Sequence, residues 1–340
     1  MYKIPFCKNT LGEEEINAVA DVVRSGWVVQ GSKTKEFEEK FAEYVGAKYA
    51  VFVDSGTAAL DLAVKYFKTF LKTKHFYVPS LTFTSTAEVV VNNCLELRWL
   101  DVNKENFCVE SPYLSTIQVH LMGNKANSKG VIEDSAHRIE RNQCLGSENI
   151  VCFSFYATKN MTTVGGGMIA TNSKHFYEWA KKARDHGISK GTEERYKKGD
   201  WKYSIDFVGW RVKADDVRAA IGLEQLKKLP EMTRKRNEIV QFYNYLFKLN
   251  RIGNHLYPIL VENRDEFIKY MANNGIQTSV HFLPLHKMPA YQKYKPKQKL
   301  ENTEYLGERL VSLPLYPDLT KEEVQFIAQK VEDSKMMING

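Results

Sequence analysis

Lys159 is the residue of this sequence whose position best suits covalent chemistry. It follows the apolar run 150–153 and Ser154, and it precedes the glycine-rich stretch 164–167. A lysine amine forms a Schiff base with an aldehyde when its surroundings let it lose its proton. The alternative is a solvated surface lysine, which is the usual fate of this residue type. The features that accompany Lys159 along the chain must decide between the two.

An acid and a small-residue turn follow two other apolar runs. Asp134 ends the segment Val131-Ile-Glu-Asp134, where a carboxylate can hold a pyridinium N–H through a charge-assisted hydrogen bond. Capping of a following helix is an equally good interpretation. The turn Asp54-Ser-Gly56-Thr57 opens a predicted helix, and the N–H groups at a helix start suit a phosphate. Alone, this turn is also typical of an ordinary strand-to-helix connection.

Seven short apolar runs must position these residues. They alternate with helical or turn-rich segments and cover residues 49–53, 76–78, 96–100, 116–119, 131–132, 150–153 and 168–170. The alternation predicts an α/β fold whose large domain has a mostly parallel seven-stranded sheet flanked by helices. Ligands gather at the carboxyl ends of such strands, so we expect the turn, the acid and the lysine at one edge.

The sequence pattern of the C-terminal part predicts a smaller α+β domain. Helices are expected at 215–229, at 231–250, after Asn263 and from Thr320, and strands at 256–261 and 276–280. We therefore divide the chain into a large domain of residues 1–235, with the N-terminal helices, and a small C-terminal domain of residues 236–340.

Composition excludes several classes of protein. The net charge of +7 over 340 residues is mild, and it suits an enzyme for anionic substrates better than a nucleic-acid binder. The five cysteines form no CxxC pair and no Cys/His ligand spacing, so neither a disulfide framework nor a metal site is predicted. No apolar segment reaches the length of a membrane span or a signal sequence. We expect a cytoplasmic protein that binds neither nucleic acid nor membrane.

The motifs, taken together, resemble the DegT/DnrJ/StrS family of sugar aminotransferases. These enzymes depend on pyridoxal 5'-phosphate (PLP) and have the fold of aspartate aminotransferase. The similar segments, in the family's order, are 25–31, 54–60 (with SGTAAL), 78–83, 119–123, 133–137 (EDSAH), 154–159 (SFYATK), 282–286 and 312–315. Eight motifs in the correct order are far more specific than any one of them.

The resemblance assigns a role to each candidate residue. Lys159 binds PLP covalently and then moves protons between substrate and cofactor, while Asp134 pairs with the pyridine nitrogen. The remaining roles are His137 near the phenolic oxygen, Phe83 stacked on the ring, and Gly56, Thr57 and Ser154 at the phosphate. Ordinary burial is the alternative for Phe83, His137 and Ser154.

The segment 209–220 resembles a family loop that reaches the cofactor phosphate of the neighbouring subunit. Arg211 stands where the family usually has asparagine. Its guanidinium suits a phosphate, or it faces solvent; Lys213 is the second candidate for this contact. The resemblance thus implies a homodimer with shared active sites.

The basic segment 181–202 is a candidate for a nucleotide diphosphate, although a solvated charge run is the more common explanation for any one of its residues.

The resemblance implies transfer of an amino group from L-glutamate to a 3- or 4-keto-6-deoxy sugar nucleotide, with PLP and pyridoxamine phosphate (PMP) alternating. The product is an amino sugar nucleotide for polysaccharide or glycan biosynthesis. The family's 3-dehydratase branch has histidine at the position of Lys159, which argues against that reaction. A regulatory or binding paralogue without turnover stays open, because the glutamate usual in the stretch 164–167 is missing and the segment 102–131 is short.

Overall fold

The computed structural model describes residues 2–191 and 201–338. Its helices are α1 (Glu13–Ser25), α2 (Ser32–Val45), α3 (Gly56–Phe70), α4 (Thr84–Asn92), α5 (Lys174–Ala183), α6 (Asp216–Phe247), α7 (Arg264–Asn273), α8 (Glu301–Arg309) and α9 (Lys321–Ser334). Its strands are β1 (Tyr49–Val53), β2 (His75–Pro79), β3 (Glu96–Leu100), β4 (Ile117–Val119), β5 (Ile132–Asp134), β6 (Ile150–Ser154), β7 (Gly167–Thr171), β8 (Tyr257–Val261), β9 (Leu310–Leu313) and β10 (Met337–Ile338). Within these residues, no helix is both long and apolar enough to span a membrane.

The α/β architecture is confirmed, but the main sheet is mixed. Its strand order is β1-β7-β6-β5-β4, and β7 lies antiparallel to both neighbours. The connection 155–166 between β6 and β7 carries no crossover helix, so the chain must return in the opposite direction. All seven strands predicted for the large domain form, but not as one seven-stranded sheet. The parallel pair of β2 and β3 adjoins β4 through a single bridge between Tyr77 and Thr116.

Alternation along β1 shows how the sheet is covered on both faces. Val51 and Val53 pack in a core that includes residues of α3, α4 and α5. Ala50 and Phe52 point the other way, into a core with residues of α2 and α6. Successive side chains of a strand face opposite sides, so a strand covered twice is apolar throughout, as this one is. Each buried Phe or Val contributes about 1.5–3 kcal/mol.

Helix α6 joins the two parts of the chain without interruption. The expectation of two helices separated at Pro230 is wrong, because a single helix of 32 residues contains that proline. Leu229 and Met232, on either side of it, are buried in the same core as Phe37, which stabilises the helix across the missing hydrogen bond. The domain boundary that we place after residue 235 falls inside this helix, and the division stays a prediction.

The C-terminal part builds a small antiparallel sheet in the order β10-β8-β9. Helices α6, α7 and α9 cover it with buried residues such as Tyr243, Phe267 and Ile327. The predicted cap of α9 is confirmed, since the Thr320 hydroxyl accepts from the N–H of Glu323 over 3.2 Å. The predicted strand 276–280 is not one; this segment makes isolated bridges, including one from Ile276 to the N-terminal Ile4.

Candidate active site

The register of the main sheet brings three strand ends together. Gly167, the first residue of β7, pairs with Val53 at the end of β1 and with Ser154 at the end of β6. Because β7 runs antiparallel, its amino end lies at the edge where its neighbours have their carboxyl ends. Asp134 ends β5 at the same edge. The turn 54–57 therefore meets the acid and the segment that carries Lys159, as the sequence predicts.

A cavity of about 520 Å³ opens at this edge. Its walls include the seven residues predicted to serve one ligand, namely Gly56, Thr57, Phe83, Asp134, His137, Ser154 and Lys159. The structure thus brings together residues that are up to 103 positions apart in the sequence, from Gly56 to Lys159. Their individual contacts with a cofactor stay predictions.

The start of α3 forms the tightest wall of the cavity. The Ser55 hydroxyl caps the helix by accepting from the N–H of Ala58 over 3.1 Å. A Cβ on Gly56 would lie 2.8 Å from Cβ of Ser154, so only glycine lets the helix start approach β6 this closely. The first N–H groups of a helix have no partner within it. Together with the Ser154 and Thr57 hydroxyls, they form a site for an anion such as a phosphate.

Asp134 is a buried carboxylate whose hydrogen-bond partners are uncharged. Its side chain is 6% exposed and accepts from the Thr86 hydroxyl over 2.7 Å and from the N–H of Ala136 over 3.1 Å. Burial raises the pKa of Asp134, whereas these hydrogen bonds and the Lys159 amine lower it. No basic side chain of the described ranges forms an ion pair with it. The helix-cap interpretation does not hold, because no helix follows Asp134: residues 136 and 137 form a turn, and residues 138–140 are irregular.

The amine of Lys159 loses its proton more easily than that of an ordinary lysine. Burial lowers the pKa of Lys159 to about 8, and the charges of Asp134 and Cys7 oppose this shift. About a tenth of the amines are then neutral at pH 7, against roughly one in 3,000 for an ordinary lysine. Its amine makes no hydrogen bond to the described residues. These properties suit a lysine that forms a Schiff base and carries protons.

His137 is held as a neutral hydrogen-bond donor. Its Nδ1 accepts from the N–H of Met122 over 3.3 Å, so the ring hydrogen of the neutral form must lie on Nε2. Burial lowers the pKa of His137 well below its usual range, and the positive charge on Lys159 lowers it further. The ring of His255 lies 4.2 Å from that of His137, centroid to centroid.

Phe83 lies at the cavity and not in a core. Its side chain is 56% exposed, and its ring centroid is 5.8 Å from that of Phe282, another lining residue. An aromatic ring exposed at the wall of a concave site is available to stack on a flat ligand. Ser154, by contrast, is 8% exposed.

Arg211 and Lys213 do not line the cavity of their own chain. Both lie in the segment that pairs with the end of β1, where Val53 bridges to Lys213. The Lys213 ammonium forms a 2.8 Å ion pair with Asp185, whereas Arg211 is exposed. Arg211 is therefore the freer of the two for the predicted contact with a second subunit, which stays a prediction.

The basic segment 181–202 is partly engaged within the chain. The Lys182 ammonium pairs with Asp206 over 2.6 Å, and the buried Arg184 pairs with Glu38. Three of its basic residues, Arg195, Lys197 and Lys198, lie outside the described residues. The predicted diphosphate contact finds no support in the engaged pairs.

Sequence reasoning missed four residues of the site. Thr86 follows the motif at 78–83 by one turn of α4, and the other three line the cavity from distant segments: Cys7, His255 and His281. Burial lowers the pKa of His281 to about 4, with the charge of Lys159 contributing. A histidine close to the start of a predicted strand, as His255 is to β8, was the one available signal.

Comparisons with known proteins identify the family of this chain. The family model described as the DegT/DnrJ/EryC1/StrS aminotransferase family matches residues 9–116 and 123–332. The uncharacterized protein MJ1066 of Methanocaldococcus jannaschii is 34% identical over 97% of this chain and 97% of its own. The spore coat polysaccharide biosynthesis protein SpsC of Bacillus subtilis is 32% identical over 97% of this chain and 96% of its own.

The fold is also that of a solved structure. The putative sugar aminotransferase Spr1654 of Streptococcus pneumoniae, in its PLP form, superposes with a TM-score of 0.86 at 24% identity and covers 98% of this chain and 99% of its own. The same protein has been solved in a PMP form. The family model covers most of the chain, and two relatives exceed 30% identity over nearly its full length. The chain therefore belongs to the DegT/DnrJ/EryC1/StrS aminotransferase family.

Proposed function

We propose that this protein is a PLP-dependent aminotransferase that moves an amino group from L-glutamate to a 3- or 4-keto-6-deoxy sugar nucleotide. The observation that carries the proposal is the convergence of Lys159, Asp134 and the start of α3 on one cavity. Family membership supports the reaction class. The likeness to a spore coat polysaccharide biosynthesis protein supports an amino sugar nucleotide for polysaccharide or glycan biosynthesis as the product.

The residues present fit PLP. Asp134 is a buried carboxylate without a cationic partner among the described residues, and a pyridinium N–H would supply one. At the other end of the cavity, the start of α3 and the close approach of Gly56 to Ser154 provide for a phosphate. Lys159 offers an amine with a lowered pKa. The aldehyde, the ring nitrogen and the phosphate of PLP would thus be matched by Lys159, Asp134 and the start of α3, respectively.

Bound PLP supplies an electron sink that stabilises negative charge at the carbon next to the transferred nitrogen. Asp134 keeps the ring nitrogen protonated, because a buried carboxylate favours a cation beside it. His137 offers its Nε2 hydrogen to an oxygen acceptor in the cavity. The turn 54–57 and Ser154 would hold the phosphate group, and Phe83 would cover the flat face of the ring.

Lys159 is the proton carrier in this proposal. With PLP and a substrate bound, the Lys159 amine would accept a proton from the reacting carbon and deliver it elsewhere. A base with a pKa near 8 both accepts and releases protons at neutral pH. The same residue therefore serves the glutamate half-reaction and the sugar half-reaction.

Two further parts of the proposal concern assembly. We place Arg211, with Lys213 as the weaker candidate, against the cofactor phosphate of a second subunit. The exposure of the Arg211 side chain supports this contact. The active enzyme is then a homodimer with shared sites.

An absorbance titration tests the function. The visible band of the PLP-loaded protein should fall on addition of L-glutamate and return on addition of a keto-sugar nucleotide, with 2-oxoglutarate and an amino sugar nucleotide as products. A band that no amino donor changes would instead support the binding paralogue without turnover.

A further inference from the structure

His255 is a cavity residue to which the family resemblance assigns no role here. It lies two residues before the start of β8 and is 7% exposed. Its main-chain N–H donates to the carbonyl oxygen of Met122 over 3.3 Å. Its ring faces that of His137 at 4.2 Å. Both the backbone and the ring of His255 are thus fixed in the wall of the cavity.

A chain of three asparagines holds the ring of His255 from behind. Nδ1 of His255 lies 2.6 Å from Oδ1 of Asn160. Nδ2 of Asn160 donates to Asn254 over 3.3 Å, and Nδ2 of Asn254 donates to Asn237 over 3.1 Å. An amide oxygen only accepts, so Nδ1 of His255 carries the ring hydrogen. Nε2 of the neutral ring therefore keeps a lone pair.

A buried cation behind this chain keeps the ring neutral. Arg236 is 6% exposed and donates to the carbonyl oxygen of Asn160 over 3.1 Å. Within the described residues, no carboxylate forms an ion pair with Arg236. Burial lowers the pKa of His255 well below its usual range, and the charges of Lys159, Arg236 and His281 lower it further. Burial and the neighbouring positive charges therefore all disfavour protonation of the His255 ring.

The cavity thus contains one imidazole donor and one imidazole acceptor side by side. His137 has its hydrogen on Nε2, and His255 has its lone pair there. Neither Nε2 atom forms a hydrogen bond with the part of the chain that the structure describes. Nε2 of His255 keeps access to the cavity, and the lining residues Leu256, Phe282 and Leu315 have no polar side-chain group to offer it. A ligand group that donates a hydrogen bond would supply the missing partner of Nε2 of His255.

We propose that His255 is a substrate-binding residue whose Nε2 accepts a hydrogen bond from a hydroxyl group of the sugar substrate, with Asn160 holding the ring in its accepting form. The inference rests on the proposed function, because the sugar substrate carries hydroxyl groups and glutamate has none. It predicts that His255 affects the two half-reactions unequally.

Two variants of His255 separate the two ring nitrogens. His255→Asn keeps an amide near the position of Nδ1, where it still reaches Asn160, but has no atom at the position of Nε2. His255→Gln reaches the position of Nε2. With each half-reaction followed by cofactor absorbance, His255→Asn should raise the KM for the keto-sugar nucleotide about 10-fold, the effect of one lost hydrogen bond. The glutamate half-reaction should change by less than about 3-fold, and His255→Gln should recover part of the loss.

The matched control is His175→Asn, which makes the same substitution at an exposed histidine outside the cavity. It should alter neither half-reaction. Equal losses in both half-reactions of His255→Asn would overturn the inference, because they would show that His255 only supports the fold around Lys159.

Nitrogen NMR of protein labelled with ¹⁵N-histidine tests the same inference without turnover. The His255 signals are identified by their loss in His255→Asn. A hydrogen on Nδ1 and a bare Nε2 at neutral pH are expected; a hydrogen on Nε2, or a charged ring, would overturn the accepting role. Failure of the wild-type protein to bind or aminate any keto-sugar nucleotide would contradict the proposed function and the substrate named here, while the NMR result still decides the state of the ring.

Discussion

The hydroxyl of Thr86 donates to Oδ2 of Asp134 over 2.7 Å, which ties the first turns of α4 to the end of β5. The Thr82 hydroxyl lies 3.0 Å from that of Thr86, and a hydroxyl that donates to the carboxylate still accepts from a second one. Thr82 and Thr86 thus form a short relay that ends at the acid. This relay orients Asp134 and holds part of its negative charge in a site from which water is excluded.

We expect Thr86→Val, which keeps the shape of the side chain, to weaken PLP binding about 10-fold. The change removes a hydrogen bond to a charged group, which contributes about 1.5–3 kcal/mol, and it raises the pKa of Asp134 further. The measurement is the dissociation constant of PLP from the apoenzyme. Thr82→Val removes only the outer link and should have the smaller effect. If both variants bind PLP like the wild type, Asp134 does not depend on the relay.

Asp134→Asn should lower turnover by about 10- to 100-fold and weaken PLP binding. The amide cannot keep the ring nitrogen protonated, and a charge-assisted hydrogen bond is lost. The comparison variant is Glu133→Gln. Glu133 precedes Asp134 but lies outside the cavity, 2.7 Å from Nε2 of His120. A fully active Asp134→Asn enzyme would show that the carboxylate serves only the turn at 134–136.

Lys159→Ala and Lys159→Arg should each reduce turnover by about 1,000-fold or more, because both remove the proton carrier and the covalent attachment point. Arginine keeps the positive charge but stays protonated, so Lys159→Arg tests whether the charge alone is sufficient for activity. Steady-state rates with glutamate and a keto-sugar nucleotide, together with circular dichroism as a check of folding, measure the effect. Wild-type rates in either variant would contradict the assignment of Lys159.

Strand positions and the edge on which the site lies were predictable from the sequence, because both depend on local patterns. Apolar runs such as 49–53 and 150–153 correspond closely to β1 and β6. Strand direction was less accessible, since the reversal at β7 depends on whether the connection 155–166 contains a helix. The continuity of α6 through Pro230 was missed because tertiary packing on both sides outweighs the local penalty of proline.

Residues that act through contacts distant in the sequence escaped prediction. His255 and Asn160 are 95 positions apart, and their hydrogen bond exists only because the start of β8 packs behind the segment that carries Lys159. Arg236 reaches the same segment from α6. No spacing in a single sequence encodes such a network. Lys159 and Asp134, by contrast, lie in short motifs with a recognisable order.

Gly56→Ala should weaken PLP binding about 10-fold and lower the free energy of unfolding by about 1–3 kcal/mol. The added Cβ would lie 2.8 Å from Cβ of Ser154, so α3 must shift away from β6 and its N–H groups move from the phosphate position. Phosphate competition against PLP and chemical denaturation measure the two effects. Gly191→Ala is the control, because a Cβ there meets open space. Equal behaviour of the two variants would show that the close approach is not needed.

The rate at which the apoenzyme captures PLP should depend on pH through Lys159. The neutral amine is the reactive form, and burial lowers the pKa of Lys159 from 10.5 to about 8. The rate should therefore rise about 10-fold per pH unit below pH 8 and level off above it, as stopped-flow absorbance would record. The sign for stability follows from the same shift. The native state binds fewer protons than the unfolded state between about pH 8 and 10.5, so the contribution of this group to stability increases across that window. A capture rate that still rises steeply up to pH 10.5 would show that the amine is solvated like an ordinary lysine, and the Schiff-base assignment would lose its physical basis.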